Sequence, residues 1–280
     1  MYLASEADSC IIQINLTKDN KHTHKSTAKL TGFTCLATVS EDQAHQDFIT
    51  ADPTRHHYTT KRTSHRHDSC YEPTVERPKM ASRHINLCLL RACRQIYHEA
   101  KWSLYSTNTF SFECPTVMEK FIGTMSTKSG LKQHLAIRNL HLDITVFHPY
   151  NEESWAAGIK QVLKKVKGLQ RVYIDLNQIF CICWIYRCGY KFVTENIPPE
   201  SIQEMRKLPL KDAKIIIEDE DLLAGSVSYP EEEVNDHPSR WTLAQKQEWV
   251  KGTRNLLLTK FRPNSPQPLQ PQALPSTLSE

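Results

Sequence analysis

The stretch Leu140-His141-Leu142-Asp143 and its echo 32 residues later, Val172-Tyr173-Ile174-Asp175, decide the reading of this chain. Each alternates apolar and polar residues, the two-residue period of a strand. Each also follows an aliphatic residue three positions upstream, Ile137 and Leu169, which gives an LxxLxL rhythm similar to leucine-rich repeats. Between them Asn151 offers an N-cap, Glu152 and Glu153 suit the positive end of a helix, and Gly168 offers a stop. A strand, a helix and a strand in about 32 residues make one parallel crossover.

Working outward, Ile215-Ile216-Ile217-Glu218 is a looser third copy of the same strand. Before the first copy, Phe110 and Phe112 alternate into a short strand, and Pro115 suits the first turn of a helix through Val117, Met118, Phe121 and Ile122. After the last, Thr242 and Gln245 form a capping box for a helix from Trp241 to about Lys260. The pattern predicts an α/β domain over residues 83–260 with a small, mostly parallel, repeat-like sheet. Fully buried parallel strands would read as continuous apolar runs, whereas these alternate. The expectation is therefore helices on one face only and an open polar second face, leucine-rich-repeat-like, carrying His141, Asp143, Thr145, Tyr173, Asp175 and Asn177. His141, Asp143, Tyr173 and Asp175 are the expected partner-binding residues, since stacked polar and aromatic side chains on an open sheet form a recognition surface.

Upstream of this core the composition changes. Residues 1–82 are rich in His, Ser, Thr and Lys, and no period persists beyond the two apolar patches Cys10–Leu16 and Phe33–Val39. Such segments bury too little surface to offset the entropy of ordering, so a mostly disordered segment is expected there. Residues 261–280 include Pro263, Pro266, Pro268, Pro271 and Pro275 and read as a disordered, extended tail.

Several function classes are excluded on spacing. The eight glycines are never closer than seven residues apart, so no GxGxxG turn, Walker A loop or GxSxG elbow exists. A net charge of +4 leaves no basic face for nucleic acid, and the most apolar run, Ile179 to Val193, contains Arg187 and Lys191 and is too short to span a membrane. Met1 to Leu16 lacks a basic start before an apolar core, so no signal peptide is expected. Nine cysteines without one suit reduced thiols inside the cell, in cytoplasm or nucleus. Cys181, Cys183 and Cys188 lack a fourth donor at zinc spacing, the histidines of residues 22–67 read as solvated, and Trp102 stands where a zincin motif begun by His98-Glu99 needs a second His. The acidic run Glu218–Asp221 reads as a solvated strand exit. No catalytic residue, metal site or cofactor is expected.

The helix preceding Phe110 carries a more specific signal. Leu89-Leu90-Arg91-Ala92-Cys93-Arg94-Gln95-Ile96-Tyr97-His98-Glu99-Ala100, followed by Leu104-Tyr105-Ser106-Thr107-Asn108-Thr109-Phe110-Ser111-Phe112, resembles a fungal protein family catalogued as domain of unknown function 7730. The resemblance covers roughly residues 85–220 and implies no enzymatic activity. Relatives with an F-box-like N-terminal segment imply an adaptor or scaffold role, although nothing before Asn86 matches such a segment. The physical reading of the block is a buried helix stripe, with Asn108 forming the turn that aims Phe110 and Phe112 into the core. The function expected is a non-enzymatic protein-interaction domain. The alternatives are an F-box-like ubiquitin-ligase adaptor and an unrecognised enzyme.

Overall fold

The computed structural model describes residues 11–17, 29–34, 39–54, 102–127, 133–146, 149–180, 205–221 and 242–259. Their strands are β1 (Ile11–Thr17), β2 (Lys29–Thr34), β3 (Thr109–Phe112), β4 (Asn139–Val146), β5 (Arg171–Phe180) and β6 (Asp212–Asp221). The helices are α1 (Glu41–Thr50), α2 (Pro115–Thr127), α3 (Pro149–Leu163) and α4 (Leu243–Leu258). One six-stranded sheet runs β2-β1-β3-β4-β5-β6, with β2 antiparallel to β1 and every other neighbouring pair parallel.

The α/β class and the mostly parallel sheet are as the strand repeat predicts. Leu140 and Val172 stand opposite each other in the β4–β5 register, so the 32-residue spacing is one crossover. The third copy is displaced: Val172 pairs with Ala213, and Ile215 pairs with Ile174. A two-residue displacement leaves each side chain on its expected face. The helix between β4 and β5 starts at Pro149, two residues before the expected cap Asn151, with proline supplying the preset first-turn φ.

One face of the sheet is apolar. Ile12, Phe110, Leu140, Val172 and Ala213 share a row, with Phe112, Leu142, Ile174 and Ile215 in a parallel row beside it, all buried. Phe121 of α2 lies against Phe110 and Phe112, with ring centroids 5.2 and 5.5 Å apart, and Tyr105 stacks on Phe110 at 5.8 Å. Asn108 donates from Nδ2 to the Leu104 carbonyl, closing the helical turn of residues 102–107 before β3 turns inward. Helix α3 crosses α2 at Gly158, where an added Cβ would sit 2.8 Å from the Pro115 Cβ. Glycine permits that close approach of two helices.

Two expectations are corrected here. The fold takes β1, β2 and α1 from residues 1–82, so the domain does not begin at residue 83. Ile12, Ile14, Ala44 and Phe48 are all buried, and this apolar area offsets the ordering cost that the average composition argued against. Nor are helices confined to one face. Helix α1, capped by the Ser40 hydroxyl accepting from the Gln43 amide, lies over the polar face, where Glu41 meets His141 and Asp42 pairs with Lys214. Ile215, Ile216 and Ile217 are consequently all buried, the pattern of a parallel strand covered on both sides.

The edge strand β6 is closed by side chains. The ring Nδ1 of His45 donates to the Ile215 carbonyl at 3.0 Å, and Arg254 Nε of α4 donates to the Ala213 carbonyl at 2.9 Å. Helix α4 has the capping box expected of Thr242 and Gln245 and presents Leu243, Lys246, Val250, Thr253 and Leu257 inward. From its outer side Gln247 Nε2 donates to the carbonyls of Phe48 and Ala51, which fastens α4 to the end of α1. Cys181, Cys183, Cys188, the histidines of residues 22, 24, 56, 57, 65 and 67, and the tail 261–280 lie outside the described residues.

Candidate functional site

The polar face concentrates its chemistry in one row. Ser111 of β3 and His141 of β4 are register partners, as are His141 and Tyr173 of β5, and Tyr173 and Lys214 of β6. Adjacent parallel strands place such side chains about 4.8 Å apart on one face, within hydrogen-bond reach. The Ser111 hydroxyl lies 2.7 Å from His141 Nδ1, and His141 Nε2 lies 3.2 Å from Asp175 Oδ2. From above, the first residue of α1 brings Glu41 Oε2 to 3.6 Å from the same Nε2. Ser111 and His141 have no exposed surface, and Glu41 and Asp175 are 4 % and 6 % exposed.

The partner-binding expectation is corrected by these burials. His141, Tyr173 and Asp175 lie beneath α1 and are not displayed to a macromolecule; Asp143 alone of the four is half-buried. Their polar character serves one another. Asp143 and Asp175 are register partners, as the strand repeat implied, but Asp175 turns its carboxylate to the His141 ring. Glu218 is also corrected, since it is 2 % exposed within β6 and is not a solvated strand exit.

Electrostatics follow from the cover. Burial, with the Asp42 carboxylate nearby, pushes the Tyr173 phenol up to about 12, so it stays neutral at any ordinary pH. The Lys214 ammonium sits 5.9 Å from the centre of that ring and pairs with Asp42 and with Asp212 at 3.6 Å. Burial also holds the His45 imidazole below its ordinary 6.5, against the Ile215 carbonyl that favours the charged ring.

Sequence reasoning named His141 and Asp175 but missed Ser111 and Glu41 as their partners. The signal for Glu41 was present locally: Ser40-Glu41-Asp42 opens a helix with a cap and first-turn acids, followed by Ala44 and Phe48 four residues apart. Ser111 belongs to the TFSF strand, where alternation alone places it on the face opposite the two phenylalanines.

Chemically the row contains a hydroxyl, an imidazole and two carboxylates, the residue types of acyl-transfer triads and of metal sites alike. Ser111 lies within the four-residue strand β3 and has no exposed surface. As donors, Glu41, His141 and Asp175 converge, with their ligand atoms all within 4.8 Å of one another. Among the described residues no helix is long and apolar enough to cross a membrane.

No curated protein and no solved structure matches the chain. A family model does, that of the domain of unknown function DUF7730, over residues 22–188. That match begins well before residue 83, in agreement with a domain that draws β2 and α1 from the N-terminal segment. With more than half its length matched, the chain belongs to the DUF7730 family.

Proposed function

We propose that this chain is a non-catalytic domain that works by binding another protein inside the cell, and that its polar row holds the fold together without turning over a substrate. The observation that carries this reading is the complete burial of Ser111 and His141 beneath α1. Catalysis needs a substrate to come within about 3 Å of nucleophile and base, and Ser111 and His141 have no surface open to one. The buried Ser111 hydroxyl and Asp175 carboxylate instead meet the His141 ring, and such contacts inside a core specify one packing.

The full-length chain, used as bait in extract from the source cell, is expected to retain a partner protein in constant proportion. In parallel, a serine-directed fluorophosphonate is expected to leave Ser111 unmodified in the native protein. Labelling of Ser111, or ester hydrolysis that Ser111→Ala abolishes, would overturn the reading in favour of an enzyme. Recovery of a ubiquitin-ligase core with the bait would make the bound partner's role that of an adaptor.

A further inference from the structure

We propose that Glu41, His141 and Asp175 form a site for a divalent transition-metal ion of the zinc class, which clips α1 onto the sheet. The sequence reading expected no metal; three-dimensional convergence is what changes it. The donors come from three elements far apart in the chain, α1, β4 and β5, and no linear spacing could have shown them together.

The first argument is distance. Zinc binds imidazole nitrogen and carboxylate oxygen at about 2.0–2.2 Å, and a tetrahedron of such bonds has donor–donor edges of about 3.3–3.6 Å. His141 Nε2 lies 3.2 Å from Asp175 Oδ2 and 3.6 Å from Glu41 Oε2. A charge-assisted N–H···O⁻ bond would draw a pair to about 2.7–2.9 Å, shorter than either separation. All three ligand atoms fall within 4.8 Å of one another, so the ion has only to close the remaining gap between the carboxylates.

The second argument is the state of the ring. A metal-bound histidine donates its other ring N–H to an acceptor, which fixes tautomer and orientation. Ser111 Oγ stands 2.7 Å from Nδ1 and can accept that proton, which leaves the Nε2 lone pair directed at the two carboxylates. The third argument is donor type. Glu41 and Asp175, 4 % and 6 % exposed, bring two carboxylates to one fully buried imidazole. One imidazole with two carboxylates is a donor set suited to zinc, iron or manganese and poorly suited to copper(I). A fourth position is left for water or a further oxygen, and the sealed surroundings make the ion structural.

This proposal is independent of the partner-binding reading, because it is measured on the isolated chain. The untagged full-length protein is stripped with chelator and titrated with zinc alone, then with cobalt(II), whose visible absorption reports a tetrahedral site. Wild type is expected to bind one equivalent at this site with a tetrahedral cobalt spectrum and a rise in Tm. Glu41→Gln and Asp175→Asn, which keep side-chain size, are expected to lose that spectrum and that Tm rise. Ser111→Ala keeps all three ligands and is expected to weaken binding about 10–100-fold by losing the acceptor at Nδ1. Failure of the wild type to take up zinc or show the cobalt spectrum would overturn the proposal. So would Glu41→Gln and Asp175→Asn variants that bind as the wild type does, since uptake would then belong to other groups of the chain.

Discussion

His45 of α1 and Ile215 of β6, 170 residues apart in the chain, are joined by a buried hydrogen bond of 3.0 Å from the ring to the strand carbonyl. The bond spends the ring's Nδ1 proton on a carbonyl that an edge strand would otherwise leave to water or to another chain. Burial disfavours the imidazolium, and Arg254 and Lys214 add like charge, while Asp212 and the carbonyl itself oppose them. The folded pKa is therefore lowered from 6.5. Stability from this group is complete above 6.5 and is lost as pH falls from there through the folded value, because the unfolded chain takes up the proton first. Thermal midpoints at pH 7.5 and 5.5 should fall further apart in the wild type than in His45→Gln. Equal drops in the two proteins would remove His45 as the source.

Tyr173 gives the opposite end of the pH scale. Its phenol ionises near 10 when unfolded and at about 12 when folded, with burial the main cause and Asp42 the next. The unfolded state therefore loses its proton first, and stability declines as pH rises past 10. Urea midpoints at pH 9 and 11 should separate widely in the wild type and less in Tyr173→Phe.

Two glycines in helices should respond in opposite directions to alanine. At Gly252 of α4 nothing lies within 4 Å of an added Cβ, so alanine should stabilise by about 0.5–1 kcal/mol through its better helix propensity. At Gly158 of α3 the new carbon would meet the Pro115 ring carbon at 2.8 Å and Glu119 Oε1 at 3.3 Å. A proline in the first turn of α2 cannot swing away, so overpacking of about 1–3 kcal/mol should exceed the propensity gain. Chemical denaturation of both variants checks the sign of each.

Thr242 accepts from the Gln245 amide at 3.3 Å, and the Gln245 side chain accepts from the Thr242 amide at 2.8 Å. Thr242→Ala should cost about 1 kcal/mol. Because α4 closes part of β6, amide hydrogen exchange in residues 212–217 should quicken in the same variant. Unchanged exchange there would mean that α4 stays docked without its cap.

The legible part of this fold lay where local pattern and tertiary role agree. The Leu140/Val172 spacing, Pro115 at a helix start and the Thr242/Gln245 box each announce themselves within a few residues. The N-terminal elements were harder to read, because short strands and a helix of 10 residues are diluted by polar neighbours when a long window is averaged. Ile12 with Ile14, and Ser40 with Ala44 and Phe48, were the local traces of β1 and α1. The polar face was misread for a different reason. An alternating strand states which residues share a face, and says nothing of whether water or a helix lies over it. His141 and Asp175 look alike in either case until Glu41 arrives from about a hundred residues upstream.

The distance in sequence between α1 and its seat has a consequence for synthesis. Helix α1 is made before β3 to β6, and the Ile215 carbonyl that receives His45 emerges 170 residues after that histidine. At about 5–20 residues per second this is a wait of roughly 10–35 s on the ribosome. During it His45 has no carbonyl to meet, and Asp42 has no Lys214 to pair with. Contacts of such long loop closure form slowly, so the last event of folding should be the return of the N-terminal helix to a sheet completed behind it. Removing α1 would leave the Ile215 carbonyl and Lys214 without the partners that this return supplies.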